Sequence, residues 1–423
     1  MRFSFFTLGC KVNQYETQAM QQHVAALGHT LVPFGETCDC CVVNTCTVTA
    51  VSDKKCRNAI RRAKKQSAAV GVCGCYSQTK PEEIRALGAD VLAGTADRIA
   101  FLDALIQTAH DRQKRERYEP ARDHRTFEHL PAGGMAERTR AMLKVEDGCN
   151  NYCTYCMIPY ARGPVRSLPL ESAVAETKRC LAEGYREIVV TGIEISSWSD
   201  GEKALVDLLD AICDAAGEMR VRLGSLEPRT VDEAFCARLK DKQNLCPQFH
   251  LSLQSGCDRV LKRMHRKYDT ARYLESVRLL REAFPGCAIT TDVIGGFPGE
   301  TEDDWAETLA FLRKCDFAAC HIFPYSRRKS TLADTYPDQI TTAVKVERCA
   351  QAAAIADESE KRYLEAQIGT VQRVLWEQVE DGYFAGHAPN YVKVYAKGEN
   401  LHNTVTDCRI TAVFRDGVLG EIE

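Results

Sequence analysis

The chain has 423 residues, 45% hydrophobic and 27% charged, a composition that fits two to four globular domains and excludes a mostly disordered protein. Its formal net charge of −3 excludes a globally basic nucleic-acid binder but permits local basic patches. No apolar run approaches the ~18–20 residues of a membrane helix, and the start, MRFSFFTLGC, lacks the features of a secretory signal, so a soluble cytoplasmic protein is expected.

Residues 1–109 alternate short apolar runs with amphipathic stretches. RFSFFTLG, CVVNTC, AVGVC and ADVLAG read as buried strands. Helices are expected near 14–27, 48–65, 81–87 and 98–109, the first ended by Gly28. Such alternation predicts a parallel sheet covered on both faces, with ligand sites at the C-terminal ends of its strands. Cys10, Cys46 and Cys75 lie at or just beyond such ends. Residues 110–138 are polar and contain Pro-Ala-Gly-Gly near their end, which reads as a linker. From 139 to 364 the alternation resumes with a longer period. Six strands (AMLKVE, EIVVTG, MRVRLGS, QFHLSL, AITTDVIGG, AACHIFPYS) are followed by helical patterns near 170–184, 202–216, 230–240, 257–284, 301–314 and 341–364. This predicts an open or partial parallel barrel with its functional residues on the loops after the strands. Residues 365–423 hold short β-type runs with Gly, Asn and Asp at the turns, the pattern of a small all-β barrel. The expected fold class is therefore α/β with an appended all-β domain.

There are 21 cysteines. In a long chain without an export signal most are expected to be small buried hydrophobes. EDGCNNYCTYC departs from that by spacing: Cys149, Cys153 and Cys156 form CxxxCxxC just past the first strand of the central region. Three thiolates on one loop can converge on one metal centre. Structural zinc normally takes four ligands, and no second knuckle or His pair follows in that region. Three thiolates suit an iron–sulfur cluster with one open iron.

With Tyr155 before its last cysteine, this motif resembles the radical S-adenosylmethionine (SAM) signature. The resemblance implies a partial (β/α)6 barrel and a 4Fe-4S cluster whose open iron chelates the amino and carboxyl groups of S-adenosylmethionine. Reduction of the cluster then cleaves the sulfonium to a 5′-deoxyadenosyl radical. Tyr155, Gly192 and Glu194 in TGIE, Ser225 in GSLEP and Gln254 in LSLQSG are carried over as cofactor contacts.

Spacing alone does not choose among the eight N-terminal cysteines, where Cys38, Cys40, Cys41 and Cys73 compete. TLGCKVNQYE, NTCTVT and GCYSQ, however, resemble the three cysteine motifs of the methylthiotransferase N-terminal domain. That resemblance implies that Cys10, Cys46 and Cys75 hold a second, auxiliary 4Fe-4S cluster with an iron open for extra sulfur. The three-part layout is similar to that family over essentially the whole chain, ending in a TRAM barrel. GCKVNQYE, QSGCDRVLKRMHRKY and FPYSRR resemble the branch that converts N6-threonylcarbamoyladenosine, beside the tRNA anticodon, to its 2-methylthio derivative. Sibling branches act on isopentenyladenosine in tRNA or on an aspartate of a ribosomal protein. Carbon 2 of adenine carries an unactivated C–H, which a carbon radical can attack and a general base cannot. The two clusters are therefore expected to face one cavity, with a second S-adenosylmethionine supplying the methyl group and a flavodoxin or ferredoxin supplying electrons.

Substrate contacts are expected in two places. KKCRNAIRRAKK, residues 54–65, has seven basic and no acidic residues, and Lys65 is taken from it as a phosphate contact. Arg327 and Arg328 follow the sixth strand and suit the carboxylate of the threonylcarbamoyl group. Residues 365–423 hold 5 Lys+Arg against 9 Asp+Glu, a net of −4, so stacking by Tyr383, Phe384, Tyr391 and Tyr395 is expected there rather than an electrostatic grip. Two rival functions remain: a methylthiotransferase for another tRNA base or a ribosomal protein, and a non-enzymatic iron–sulfur RNA-binding protein.

Overall fold

A computed structural model describes residues 1–133 and 139–423. The N-terminal part is a six-stranded, all-parallel sheet in the order β2-β1-β3-β4-β5-β6. Its strands are β1 (Arg2–Thr7), β2 (Thr30–Val32), β3 (Cys38–Thr45), β4 (Ser67–Gly74), β5 (Val91–Ala93) and β6 (Arg115–Arg117). The apolar runs of β3 and β4 are buried on both faces, as a central parallel strand requires. Helices α1 (Lys11–Ala26) and α5 (Arg98–Asp111) cover one face through Met20, Val24, Phe101 and Leu105. Helices α2 (Ala50–Gln66) and α4 (Pro81–Ala86) cover the other through Cys56, Ile60, Ala63 and Ile84, and a short α3 (Cys75–Thr79) starts directly at the end of β4. Two strands lie where none was expected. β2 is too short to show a period, and β6 falls in the polar stretch read as linker, where it pairs as an edge strand with β5.

The central part opens with β7 (Arg140–Lys144). A short antiparallel pair, β8 (Glu146–Asp147) and β9 (Arg166–Ser167), brackets the cysteine loop and the helix α6 (Ile158–Arg162). β10 (Glu187–Thr191) is followed by the small hairpin β11 (Ser199–Asp200) and β12 (Lys203–Ala204). The run MRVRLGS gives not one strand but two, β13 (Arg220–Leu223) and β14 (Ser225–Leu226), broken at Gly224. The parallel wall therefore divides into β13-β10-β7 and β14-β15-β16-β17, the last three being Gln248–Leu251, Ala288–Gly295 and Ala319–Pro324. Helices α7 (Leu170–Ala182), α8 (Leu205–Ala216) and α9 (Glu233–Leu239) pack outside. The single helix expected over 257–284 is two, α10 (Asp258–Arg263) and α11 (Thr270–Ala283), separated by a turn in which His265 has φ +61°. α12 (Glu302–Cys315) and α13 (Thr342–Glu365) complete the layer.

The C-terminal part is a closed five-stranded barrel in the order β18-β19-β20-β22-β21. Its strands are β18 (Val371–Glu380), β19 (Tyr383–His387), β20 (Lys393–Ala396), β21 (Val405–Phe414) and β22 (Gly417–Ile422), around Val374, Trp376, Val394, Cys408 and Ile410. Of the aromatics expected to stack on RNA, Tyr395 is buried and Tyr391 is exposed, with Tyr383 and Phe384 between. The barrel docks on the starts of β7, β10 and β13. Arg140, Arg220 and Arg222 converge there on the buried Glu187, and Arg220 and Arg222 donate onward to carbonyls of His387, Ala388 and Pro389.

The first two parts are joined by buried charge. Glu16 of α1 accepts from Arg162 at 2.7 Å and from Arg98 at 2.8 Å, and Arg162 also donates to Asp147 at 3.0 Å. Lys144 and Arg166 complete the group around Asp147, each 3.3 Å away. Glu16, Arg98, Lys144 and Arg162 are wholly excluded from solvent. Burial alone would raise the Glu16 carboxyl; the three cations reverse this and hold it down to about 2.

Glu16→Gln removes the partner of three buried cations, a change costing about 3–5 kcal/mol. Hydrogen exchange followed by mass spectrometry should show protection of α1 and α6 amides falling by roughly 100-fold or more. The folded value lies below the ordinary 4.5, so this stabilisation is complete above about pH 4.5 and fades as pH falls towards 2.

Candidate metal centres

β1, β3 and β4 are neighbours in the sheet and run the same way, so their C-terminal ends lie side by side. Cys10 caps the start of α1 after β1, Cys46 follows β3, and Cys75 opens α3 after β4. Thus the three cysteines chosen by motif sit on one edge. Cys38, Cys40, Cys41 and Cys73 lie within strands and are buried in the domain, as ordinary core thiols. Two asparagines lock the edge. Asn13 donates to Leu8 O and Thr45 O, both at 3.0 Å, while Asn44 donates to Asn13 O at 3.0 Å. Gly74 makes the last turn at φ +95°, where an added Cβ would lie 2.5 Å from Thr45 O. Cys10 Sγ reaches Asn13 at 3.7 Å and stays exposed, while Cys46 and Cys75 are buried.

The second triad lies on the loop between β8 and α6. Cys149 N donates to Gly163 O, and Thr154 N and Oγ1 donate to the carbonyls of Met264 and Arg263. These last bonds dock the cysteine loop on the turn between α10 and α11. Gly148, at φ +93°, passes so close to Pro164 that a Cβ would meet its carbonyl at 2.1 Å. Asn151 N and Ile158 N point at the sulfurs of Cys149 and Cys156, and Arg266 donates to Cys153 Sγ at 3.2 Å. The two triads are linked by a short route: Cys10 to Asn13, Asn13 to Arg162 at 2.8 Å, then Gly163 to Cys149.

Burial pushes the Cys75, Cys149 and Cys156 thiols up to about 12 and raises that of Cys46 as well. Iron must displace those protons on binding. Structural zinc takes four ligands and each triad offers three thiols, whereas a cubane takes each cysteine through a different iron. The residues therefore fit two three-thiol clusters.

The expected cofactor contacts lie on the cysteine loop and just past the ends of β10, β13 and β15. Glu146 is buried and accepts from Ile193 N and Glu194 N at 2.9 and 2.7 Å, which ties the loop after β10, with Gly192, to the cysteine loop. Burial pushes the Glu194 carboxyl up to about 7 against the pull of Arg266. The charges of Arg266 and Glu227 both act on it. Ser225 is exposed at the start of β14. Gln254 holds φ +69° and bridges to β16, where its N donates to Asp292 O. Tyr155 meets Phe297 edge-on, anchoring the loop. Arg266, which sequence reading did not single out, is the one side chain that donates to a ligand sulfur of this triad among the described residues.

The expected substrate residues divide. Lys65 lies on the exposed face of α2 with Lys54 and Lys55, none with an ion pair among the described residues. Arg327 is exposed and pairs with Asp334. Arg328, expected to meet substrate, is instead buried and donates to Asp53 at 2.9 Å and Thr47 at 2.7 Å. It spans 275 residues to tie the loop after β17 to α2, so its charge is spent on domain docking.

This architecture defines a radical SAM enzyme with an additional cysteine-bearing α/β domain. Residues 143–312 match the Radical SAM superfamily, and residues 2–94 match the family described as "Uncharacterized protein family UPF0004". Among solved structures the fold is similar to the radical S-adenosylmethionine methyltransferase TsrM from Kitasatospora setae. With tryptophan and a SAM analogue bound, that structure gives a TM-score of 0.60 at 13% identity, covering 85% of this chain and 89% of that one. Curated relatives are much nearer. The threonylcarbamoyladenosine tRNA methylthiotransferase MtaB of Bacillus subtilis (strain 168) is 38% identical over 93% of this chain and 90% of that protein. The MtaB proteins of Chlamydia pneumoniae (35%, 99% of this chain and 98% of that protein) and Thermotoga maritima (36%, 98% and 95%) match it end to end. The chain belongs to the MtaB family of radical SAM methylthiotransferases.

Arg266→Gln should leave the iron content unchanged while removing a charge-assisted donor from a ligand sulfur. The reduction potential of the radical cluster, followed by electron paramagnetic resonance (EPR) during redox titration, should move to more negative values. An unchanged potential would rule out this role for Arg266.

Proposed function

We infer that the chain places a methylthio group on carbon 2 of N6-threonylcarbamoyladenosine next to the anticodon of tRNA. The observation that carries the inference is the pair of three-thiol triads at strand ends of adjoining domains, linked through Asn13 and Arg162. A non-enzymatic iron–sulfur RNA-binding protein has no need of two open clusters set against each other.

When bound, the radical cluster with S-adenosylmethionine supplies a carbon radical able to take an unactivated hydrogen, and the auxiliary cluster supplies sulfur. The chain does the rest. Cys149, Cys153 and Cys156 hold the first group and Cys10, Cys46 and Cys75 the second. Tyr155, Gly192, Glu194, Ser225 and Gln254 position S-adenosylmethionine. Domain docking through Glu16, Arg162 and Arg328 fixes the distance between the two groups. The basic face of α2, with Lys65, binds tRNA phosphates, and Arg327 remains available near the substrate. In this reading residues 1–109, with β6 added to their sheet, are the auxiliary-cluster domain, the remainder of 110–138 the linker, 139–364 the radical SAM core and 365–423 a TRAM domain. Electrons come from a flavodoxin or ferredoxin, and the enzyme works in the cytoplasm. Among the described residues no helix is long and apolar enough to cross a membrane.

Mass spectrometry of tRNA nucleosides from a strain lacking the gene should show threonylcarbamoyladenosine without its methylthio derivative, restored by the wild-type gene. Retention of the derivative would contradict the assignment. With purified protein, triple Ala variants of either triad should drop the iron content from about eight to about four per chain. Only the variant lacking Cys149, Cys153 and Cys156 should lose reductive cleavage of S-adenosylmethionine.

Lys65→Ala should weaken binding of all tRNAs by a small factor and lower the slope of log affinity against log salt by about one. An unchanged slope would remove Lys65 from the interface.

A further inference from the structure

Where the three parts of the chain meet, a cavity of about 320 Å3 opens between α1, the barrel strands and the C-terminal barrel. Lys11 and Gln14 line it from α1, Arg140, Met142 and Arg222 from β7 and β13, and Tyr391 from the C-terminal barrel. Junctions of domains are where small-molecule sites concentrate, and the volume falls in the usual range for them. Three cations face the cavity against one carboxylate, Glu377.

The cations are not equivalent. Arg222 grips Glu187 through two bonds, at 2.8 and 3.0 Å, and its plane lies 4.7 Å from the Tyr391 ring centroid. Arg140 is held by Glu377 and by the Tyr391 hydroxyl. Lys11 is exposed to the cavity and, among the described residues, has neither an ion pair nor a hydrogen bond. A lysine left unpaired beside two guanidinium groups is an electrostatic seat for an anion. It is also placed by covalent connection, because Lys11 directly follows Cys10.

That placement bears on substrate choice. In the proposed reaction, carbon 2 of the base must lie beside the auxiliary cluster held by Cys10. Carbon 2 and carbon 6 flank the same ring nitrogen, so the substituent on N6 leaves from the edge of the base that faces the cluster. Its carboxylate is the anion that comes within reach of a lysine at this point, and an isopentenyl group has nothing to offer there. We propose that Lys11 binds the carboxylate of the threonylcarbamoyl group and thereby selects the substrate. This inference rests on the function proposed above. It gives Lys11 a positioning and selecting role with no part in bond making.

An RNA phosphodiester offers the same anionic oxygen, and the test separates the two sources. Anaerobically reconstituted protein is titrated with three labelled anticodon stem-loops, identical except at one adenosine: threonylcarbamoylated, threonylcarbamoylated with the carboxylate as its methyl ester, and unmodified. Wild-type protein should prefer the first to the other two by about tenfold, the loss expected for one charge-assisted contact. Lys11→Gln should abolish that preference while binding the unmodified loop as wild type does, and Lys11→Arg should keep most of it. Iron content measured on each variant checks that Cys10 keeps its cluster, and the ester comparison on wild-type protein needs no variant at all. If Lys11→Gln weakens all three loops equally, Lys11 meets a phosphate and the proposal fails. It also fails if the variant keeps the preference. If wild-type protein prefers neither modified loop, the substrate reading itself is wrong and Lys11 falls with it.

Discussion

The structure depends on a buried ionic knot between two domains. Glu16 on α1 and Asp147 before the cysteine loop share Arg162, with Arg98, Lys144 and Arg166 around them. Isolated, each of these charges would cost several kcal/mol to bury. Together they hold only in one geometry, because each carboxylate is met by cations from separate elements. Such a knot is poor as a source of net stability and good as a specifier of docking. Here it specifies how two cysteine-bearing strand edges meet. Arg162 follows Cys156 by a single short helix, and its second nitrogen bonds Asn13, whose side chain also touches Cys10. The registration of one triad against the other is thereby built into packing rather than left to a hinge.

The same arrangement gathers the thiols and sets cations beside them. Parallel strands end together, so β1, β3 and β4 deliver three thiols to one edge without any local sequence motif joining them. Burial raises the Cys46, Cys75, Cys149 and Cys156 thiols, which couples cluster binding to proton release. Arg162 and Arg266 then stand near the two triads as fixed positive charges, suited to the electron-rich clusters that replace those protons.

Much of this was legible from sequence because its signals are local. Apolar runs marked β1, β3, β4, β10, β15 and β16, CxxxCxxC marked a metal site by spacing, and resemblance made it a radical site. The N-terminal triad was legible only by resemblance, since spacing does not separate Cys73 from Cys75; the structure separates them by placing Cys73 inside β4 and Cys75 past its end. What stayed hidden is long-range. Arg162 pairs with Glu16 across 146 residues and Arg328 with Asp53 across 275, and no periodicity encodes such partners. The break between α10 and α11 is hidden too: helical spacing runs straight through it, whereas His265 takes φ +61° and Arg266 N bonds back to Leu261 O. Arg328 followed the right strand, but position after a strand does not say which way a long side chain turns.

On the proposed function, the two triads hold clusters placed face to face. Electron paramagnetic resonance of the fully reduced, anaerobically reconstituted protein tests it most directly. Two clusters held at this docking should couple magnetically, giving a broadened signal that sharpens to a single simple spectrum when either triad is replaced. A spectrum that is the plain sum of the two single-cluster signals would contradict it.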